Sequence, residues 1–396
     1  MAHRCATHAP TRWAAARDAH ANEMGCREGF RIVRESARAW TRFEMGLLDI
    51  LFVSTLRCAV GAKFLIMADW GGQGTAPFYT EAEKSVAKSM GAMGEDALFA
   101  LALGDNFYSE GVKDASSPRF KATFEDVFDD SHLAAPKFFK VLAGNHDHYG
   151  NVSAQLAYAA PASSRFDMPS LYYSFKQKSS DDAEIEFVMI DTVELAGNSL
   201  LGGRDLVGSA LPGPASRARA DDQWAWINAT ISASTADYLV VAGRGPASVD
   251  ASRASAPEPP CFFPRRHYPI LSVCEHGPTT LLIDRLAPLM TKSKASVYLA
   301  GHDHCAEYLE AYDFAHHGCG AAHEYDPSTA HESVVPKGSL KWHHEFSGSD
   351  ATKENYTLGA FAVATFNKTS LNIVHYDHTG KEIFAAPPIA PRDVSF

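Results

Sequence analysis

Four short apolar runs constrain this chain most, because each stops at a turn loaded with polar donors. Phe138 to Ala143 runs into Gly144-Asn145-His146-Asp147-His148, and Ala97 to Leu103 runs into Gly104-Asp105-Asn106-Phe107-Tyr108. Ser296 to Ala300 ends at Gly301-His302-Asp303-His304, and Lys63 to Ala68 ends at Asp69-Trp70-Gly71-Gly72. Short apolar runs closed by turn residues read as buried strands. Ligands of open α/β sheets collect beyond the carboxyl ends of such strands. Carboxylate, amide, phenol and imidazole groups delivered there are donors for a hard Fe(III) or a borderline divalent ion.

From residue 63 onward, strands alternate with helical stretches: strand 63–69, helix 79–93, strand 97–103, helix 118–128, strand 138–143. Such alternation implies parallel-type sheet flanked by helices. Further strands are expected at 171–175, 184–191 and 237–242, a helix at 217–232, and an antiparallel pair, 358–366 and 370–378, around Asn367-Lys368-Thr369. The expected class is α/β, a four-layer α/β/β/α sandwich of two mixed sheets flanked by helices. A formal net charge of −11 without a basic stripe argues against nucleic acid as partner. No run approaches the roughly 20 apolar residues of a membrane span. The seven cysteines include no CxxC pair, so neither a zinc ribbon nor a redox dithiol is supported, and at most one or two disulfides of undetermined pairing are expected.

Together the turns resemble a known signature. Asp69-x-Gly71, Gly104-Asp105-x-x-Tyr108, Gly144-Asn145-His146-Asp147 and Gly301-His302-x-His304 are similar to the calcineurin-type metallophosphoesterases. Tyr108, the run from Asn145 to Gln155 and Glu275-His276-Gly277-Pro278-Thr279 narrow the resemblance to the small tartrate-resistant (type 5) purple acid phosphatases, over roughly residues 63–385. It implies an Fe(III) site at Asp69, Asp105, Tyr108 and His304. A second ion, divalent iron, zinc or manganese, falls to Asp105, Asn145, His267 and His302. His146 is implied as proton donor and His276 as a contact to substrate or leaving group. The implied reaction is hydrolysis of phosphate monoesters at acid pH by metal-held hydroxide, on small phosphate esters or phosphoproteins. An iron-binding glycoprotein with little catalysis is the competing reading. His148, His316, His317, His343 and His344 match no family position and read as surface or structural. Ala196 and Ala300 stand where animal members carry cysteines, so the family's loop disulfide is expected to be missing.

Two segments break the pattern. Strand 237–242 and Gly243 are separated from His267-Tyr268-Pro269 by the extra residues 244–266. Removing them joins Gly243 to His267 without a seam. The Pro259-Pro260-Cys261-Phe262-Phe263-Pro264 ending implies pyrimidine-rich codons, as before a splice acceptor. We read 244–266 as a translated intron, the rival being a surface loop from which His267 returns to the site. At the other end, 1–44 reads as a non-native upstream extension and 45–62 as a signal peptide starting at Met45. Four N-x-S/T sequons, at Asn151, Asn228, Asn355 and Asn367, fit a secreted or lysosomal/vacuolar glycoprotein. The Gly/Pro-rich stretch 195–220 corresponds to the loop that overhangs the family's site.

Overall fold

Strands that are apolar at consecutive positions must be covered on both faces, and this sets the layering. The computed structural model describes residues 61–196, 216–244, 269–346 and 355–394. The first of two seven-stranded sheets is built on parallel β1 (Ala62–Met67), β2 (Ala97–Leu103), β3 (Phe139–Leu142) and β4 (Phe166–Asp167). Antiparallel β12 (Ala360–Phe366), β13 (Leu371–Asp377) and β14 (Glu382–Ala385) extend it beyond β1. The second sheet centres on parallel β6 (Glu184–Asp191), β7 (Tyr238–Arg244), β8 (Val297–Ala300) and β10 (Phe314–Cys319). Its antiparallel strands are β5 (Tyr173–Lys178) on one edge and β9 (Ala306–Ala311) and β11 (Leu340–His343) on the other.

The sheets share one apolar layer. Phe64, Ile66, Phe99 and Leu101 from the first meet Ile185, Phe187, Val240 and Leu299 from the second. Full burial of each such side chain contributes about 1.5–3 kcal/mol. The alternate residues Leu65, Met67, Ala100 and Val141 face outward against Val86, Ala87 and Met90 of α1 (Glu81–Met93). Helix α1 starts where Thr80 and Glu83 form a reciprocal capping box. Over the second sheet, Val188, Ile190, Leu239 and Val241 are covered by Trp224, Ile227 and Ile231 of α5 (Arg217–Ala233) and by Leu282, Leu286 and Met290 of α6 (Thr280–Lys292). Among the described residues, three shorter α-helices are α2 (Asn145–Tyr149), α3 (Val152–Ala159) and α4 (Thr192–Ala196). The four layers therefore stand in the expected order.

One expectation needs correction. The helix expected over 118–128 is instead a wide π turn, Phe120–Glu125, which sends Phe120 and Phe124 into an aromatic cluster with Trp70 and Phe166. Of the two readings left open for His316 and His317, surface or structural, the structure selects the second, because both are buried on β10. Burial pushes the His316 imidazole down to about 3, so it stays neutral. The described residues from Gly61 onward form one compact unit. The extension 1–44, nearly all of the leader 45–62, the insert beyond Arg244, His267 and residues 197–215 of the expected overhanging loop lie outside the described residues.

Candidate metal centre

The carboxyl ends of β1, β2 and β8 deliver three side chains to one point. The Tyr108 hydroxyl donates to Asp69 Oδ1 at 3.0 Å and lies 3.1 Å from His304 Nε2. His304 Nε2 is itself 3.0 Å from Asp69 Oδ1. Asp69 Oδ2 accepts the His302 N–H at 2.7 Å, so this one carboxylate ties the first sheet to the second. The loops are laced by backbone bonds as well, Asp69 N–H to the Gly104 carbonyl at 3.1 Å and Tyr108 N–H to the Gly71 carbonyl at 3.0 Å. Asp69, Asp105 and His302 all have positive φ, 58°, 47° and 83°. Non-glycine residues in this region cost on the order of 1 kcal/mol or more each and cluster at functional sites. Gly301 permits the close approach, since a Cβ there would stand 2.5 Å from both Ala68 Cβ and Asp69 Oδ2.

Asp105 and Asn145 arrive from the neighbouring turns. Asp105 Oδ1 accepts the His146 N–H at 2.9 Å, and its Oδ2 lies 3.7 Å from His146 Nε2. His146 Nδ1 hydrogen-bonds the Ser109 carbonyl, an acceptor only, which puts the proton on Nδ1 and leaves Nε2 facing Asp105. Asn145 is buried, and its Oδ1 has no hydrogen-bond partner among the described residues. An amide oxygen stripped of water and left so is costly unless something else satisfies it. The turn is held by Asp147, whose carboxylate accepts from the N–H groups of Gly144 and Asn106 and from Gln155 Nε2. Burial, then the Asp105 charge, push the Asp147 carboxyl up to about 6.

On the second sheet, the His302 and His276 rings stack at 4.4 Å. His276 is positioned through its backbone: Asp303 Oδ1 accepts its N–H at 2.7 Å, and Oδ2 accepts that of Gly277 at 3.3 Å. A disulfide, Cys274–Cys305, joins the His276 segment to the loop carrying His302 and His304. It is a different bridge from the one expected to be missing at Ala196 and Ala300.

Strand β10, parallel to β8, ends on the same side and brings two further residues. Glu324 Oε1 lies 3.3 Å from His304 Nδ1, and Glu324 Oε2 lies 3.6 Å from His323 Nε2. The His323 ring stacks on the Tyr108 ring, 4.1 Å between centroids and 21° between planes. Burial opposes a charge on His304, but Asp69 and Glu324 outweigh it and raise the imidazole to about 10. Burial likewise opposes the Glu324 charge, and His304 and His323 outweigh it, holding the carboxyl down to about 2. The spot therefore favours positive charge.

Of the expected residues, the structure brings Asp69, Tyr108 and His304 into mutual contact, pairs Asp105 with His146, stacks His302 on His276, and buries Asn145 beside them. Sequence reasoning assigned no role to Asp147 and Asp303, although both sit inside the quoted motifs. It missed His323 and Glu324, which no local pattern marks.

No protein-family model matches the chain. In fold it is similar to "GAP50 the anchor in the inner membrane complex of Plasmodium", with a TM-score of 0.63 and 19% identity over 84% of this chain and 90% of that one. Tartrate-resistant acid phosphatase type 5 from Sus scrofa is 38% identical over 328 residues, which is 81% of this chain and 85% of the relative. The Rattus norvegicus protein of the same name is 36% identical over 88% of this chain and 98% of its own length. Purple acid phosphatase 4 of Arabidopsis thaliana is 23% identical over 81% of each chain. Motifs in order, donors gathered at the strand ends and identity sustained across four-fifths of the sequence lead to one conclusion: the chain belongs to the tartrate-resistant, type 5 acid phosphatases, a family of metal-dependent enzymes.

Proposed function

We propose that the chain hydrolyses phosphate monoesters at acid pH, using a binuclear centre of Fe(III) and a divalent ion (iron, zinc or manganese). One observation carries this reading: Asp69 Oδ1, Tyr108 Oη and His304 Nε2 stand 3.0, 3.1 and 3.0 Å apart. Three donors on one face of an octahedron with bonds of ~2.1 Å are separated by about 3.0 Å. The donor set fits, and so does the orphaned Asn145 Oδ1. Asp69, Asp105, Tyr108 and His304 would hold the iron, and Asp105, Asn145, His302 and His267 the second ion. When bound, the ions supply an acidified water and a positive clamp on phosphate oxygens.

The chain's own groups do the rest. With Nδ1 fixed on the Ser109 carbonyl, His146 has only Nε2 with which to take up a proton and pass it to the departing oxygen. His276 presents its ring beside His302, and Asp303 fixes its backbone. The rival reading, an iron carrier without catalysis, is not favoured by the family to which the chain belongs. Residue Gly243 pairs with Ala300 on β8, so a residue placed directly after Gly243 stands close to the His302 turn. This supports reading 244–266 as an interruption between Gly243 and His267.

The compact unit begins at Gly61 and β1 at Ala62, which supports a metallophosphoesterase domain that starts near residue 63 and carries the insert 244–266. The disulfide and the sequons support passage through the secretory route to a secreted or lysosomal destination. No described helix is long and apolar enough to cross a membrane. The test is metal analysis, a visible spectrum and p-nitrophenyl phosphate hydrolysis at acid pH, on protein with and without 244–266. Two ions, a phenolate band and turnover in the shortened form support the reading. A colourless, metal-free and inactive shortened form overturns it.

A further inference from the structure

We propose that Glu324 and His323 are positioning residues for the iron side of the centre, setting how tightly iron is held and where its phenolate band falls. The inference rests on reading Asp69, Tyr108 and His304 as iron ligands. His304 aims Nε2 at Asp69 and Tyr108, so Nδ1 is its only remaining ring nitrogen, and Glu324 Oε1 lies 3.3 Å from it. A carboxylate on the far nitrogen of a metal-binding histidine fixes tautomer and ring orientation and strengthens the nitrogen that binds. The same carboxylate reaches His323, with Oε2 at 3.6 Å from Nε2. The other His323 nitrogen, Nδ1, donates to the Asp69 backbone carbonyl at 2.6 Å. Thr80 Oγ1 also donates to the backbone carbonyl of His323, so the residue is fixed at ring and main chain alike.

Held in this way, the His323 ring lies flat on Tyr108 and restricts rotation of the phenol about its own axis. Glu324 thus governs two of the three converging donors, one through a hydrogen bond and one through a stacked ring. The network reaches the surface at Tyr356, a half-exposed residue whose hydroxyl donates to Glu324. A carboxylate that served only to satisfy buried partners would leave the Tyr108 environment unchanged when made neutral. The spectroscopic consequence separates the two roles. A more basic His304 pushes electron density onto iron and raises the energy of charge transfer from phenolate. Neutralising Glu324 must therefore move the band to longer wavelength. Removing the Tyr356 hydroxyl frees Glu324 to accept more strongly from His304 and must move it to shorter wavelength.

The experiment follows bound iron and visible absorption while iron-loaded protein is titrated with a chelator. Glu324→Gln, nearly isosteric, is expected to lose iron at a chelator concentration 10- to 100-fold lower than wild type, with a red-shifted band. His323→Phe, which keeps a ring on Tyr108 but loses the bond to the Asp69 carbonyl and the contact with Glu324, releases the carboxylate to His304 and is expected to shift the band to shorter wavelength. A coloured wild type whose Glu324→Gln variant keeps the same band and chelator curve overturns the inference alone. A wild type that takes up no iron overturns the ligand assignment and this inference with it. Should Glu324→Gln fail to fold, Tyr356→Phe decides: a blue shift supports the network, and an unmoved band refutes it.

Discussion

Removing the Cys274–Cys305 disulfide tests how the second-sheet half of the site is held. The bridge closes a loop with a sequence separation of 31, spanning α6 and β8 and pinning the His276 segment beside His304. In the chain-entropy treatment, a loop of that length restricts the unfolded chain by about 3.7 kcal/mol. Unfolding roughly 330 residues carries an entropy of about 0.7 kcal/mol/K, so the double variant Cys274→Ala/Cys305→Ala should melt about 5 °C lower. Activity at 25 °C should largely survive, because Asp303 keeps the His276 N–H at 2.7 Å without the bridge. Scanning calorimetry gives the shift, kcat/KM on p-nitrophenyl phosphate gives the site, and thiol counting of the denatured wild type verifies the bridge. A midpoint lowered by less than about 1 °C, with the bridge verified in wild type, would refute the entropic argument. A collapse of kcat/KM with the fold intact would show that Asp303 does not hold His276 unaided.

Three more outcomes are expected. His148 Nε2 pairs with Asp191 Oδ2 at 2.8 Å, linking α2 of the first sheet to the end of β6 in the second. Burial opposes its charge, yet Asp191 outweighs that and raises the imidazole above its ordinary value. Its stabilisation is therefore complete below the unfolded pKa of about 6.5 and lost as pH rises through the higher folded value. His148→Ala should cost about 3 kcal/mol at acid pH and progressively less in alkali, and urea unfolding showing the opposite trend would refute the pairing. Gly301→Ala forces a methyl to within 2.5 Å of Ala68 Cβ and Asp69 Oδ2, so iron content should fall with only a few degrees lost in melting temperature. A variant with full iron content shows that the turn is not close-packed as described. Tyr108→Phe keeps the ring on His323 but removes the phenolic oxygen, so the visible band should vanish, and a surviving band would assign it to another donor.

The legible parts of this molecule are those whose chemistry is local in sequence. A strand of consecutive apolar residues must be covered on both faces, so Lys63 to Ala68 and Ala97 to Leu103 announced their layers, and the turns after them announced donors. The boundaries of β2, β6 and α5 fell where hydrophobic period and turn residues put them. The π turn at Phe120–Glu125 was not legible, because its width is set by Phe124 and Trp70 meeting from distant segments. Burial of His316 and His317 was hidden for a related reason. An imidazole has no preferred layer of its own, and only the position of β10 inside the second sheet removes these two from water.

What the sequence withheld at the site follows a rule. Asp69, Asp105, Tyr108, His302 and His304 are delivered by strand ends, and a strand end is a local event. Asp147, Asp303 and Glu324 are carboxylates whose task is to hold another residue's N–H or ring nitrogen, which makes the task a property of the pair. Asp147 and Asp303 both lie within motifs; Asp147 gathers backbone donors from its own turn and one neighbour, and Asp303 gathers them from the His276 segment. Glu324 comes from β10, which joins the site only because β10 runs parallel beside β8. The side chains that gather at the strand ends can thus be read from motifs, while the groups that hold them depend on which strand lies next to which. On the function proposed above, two chains with identical motifs but different residues after β10 would hold iron with different affinity and colour. In this chain, Glu324 and His323 are where that difference is expected to reside.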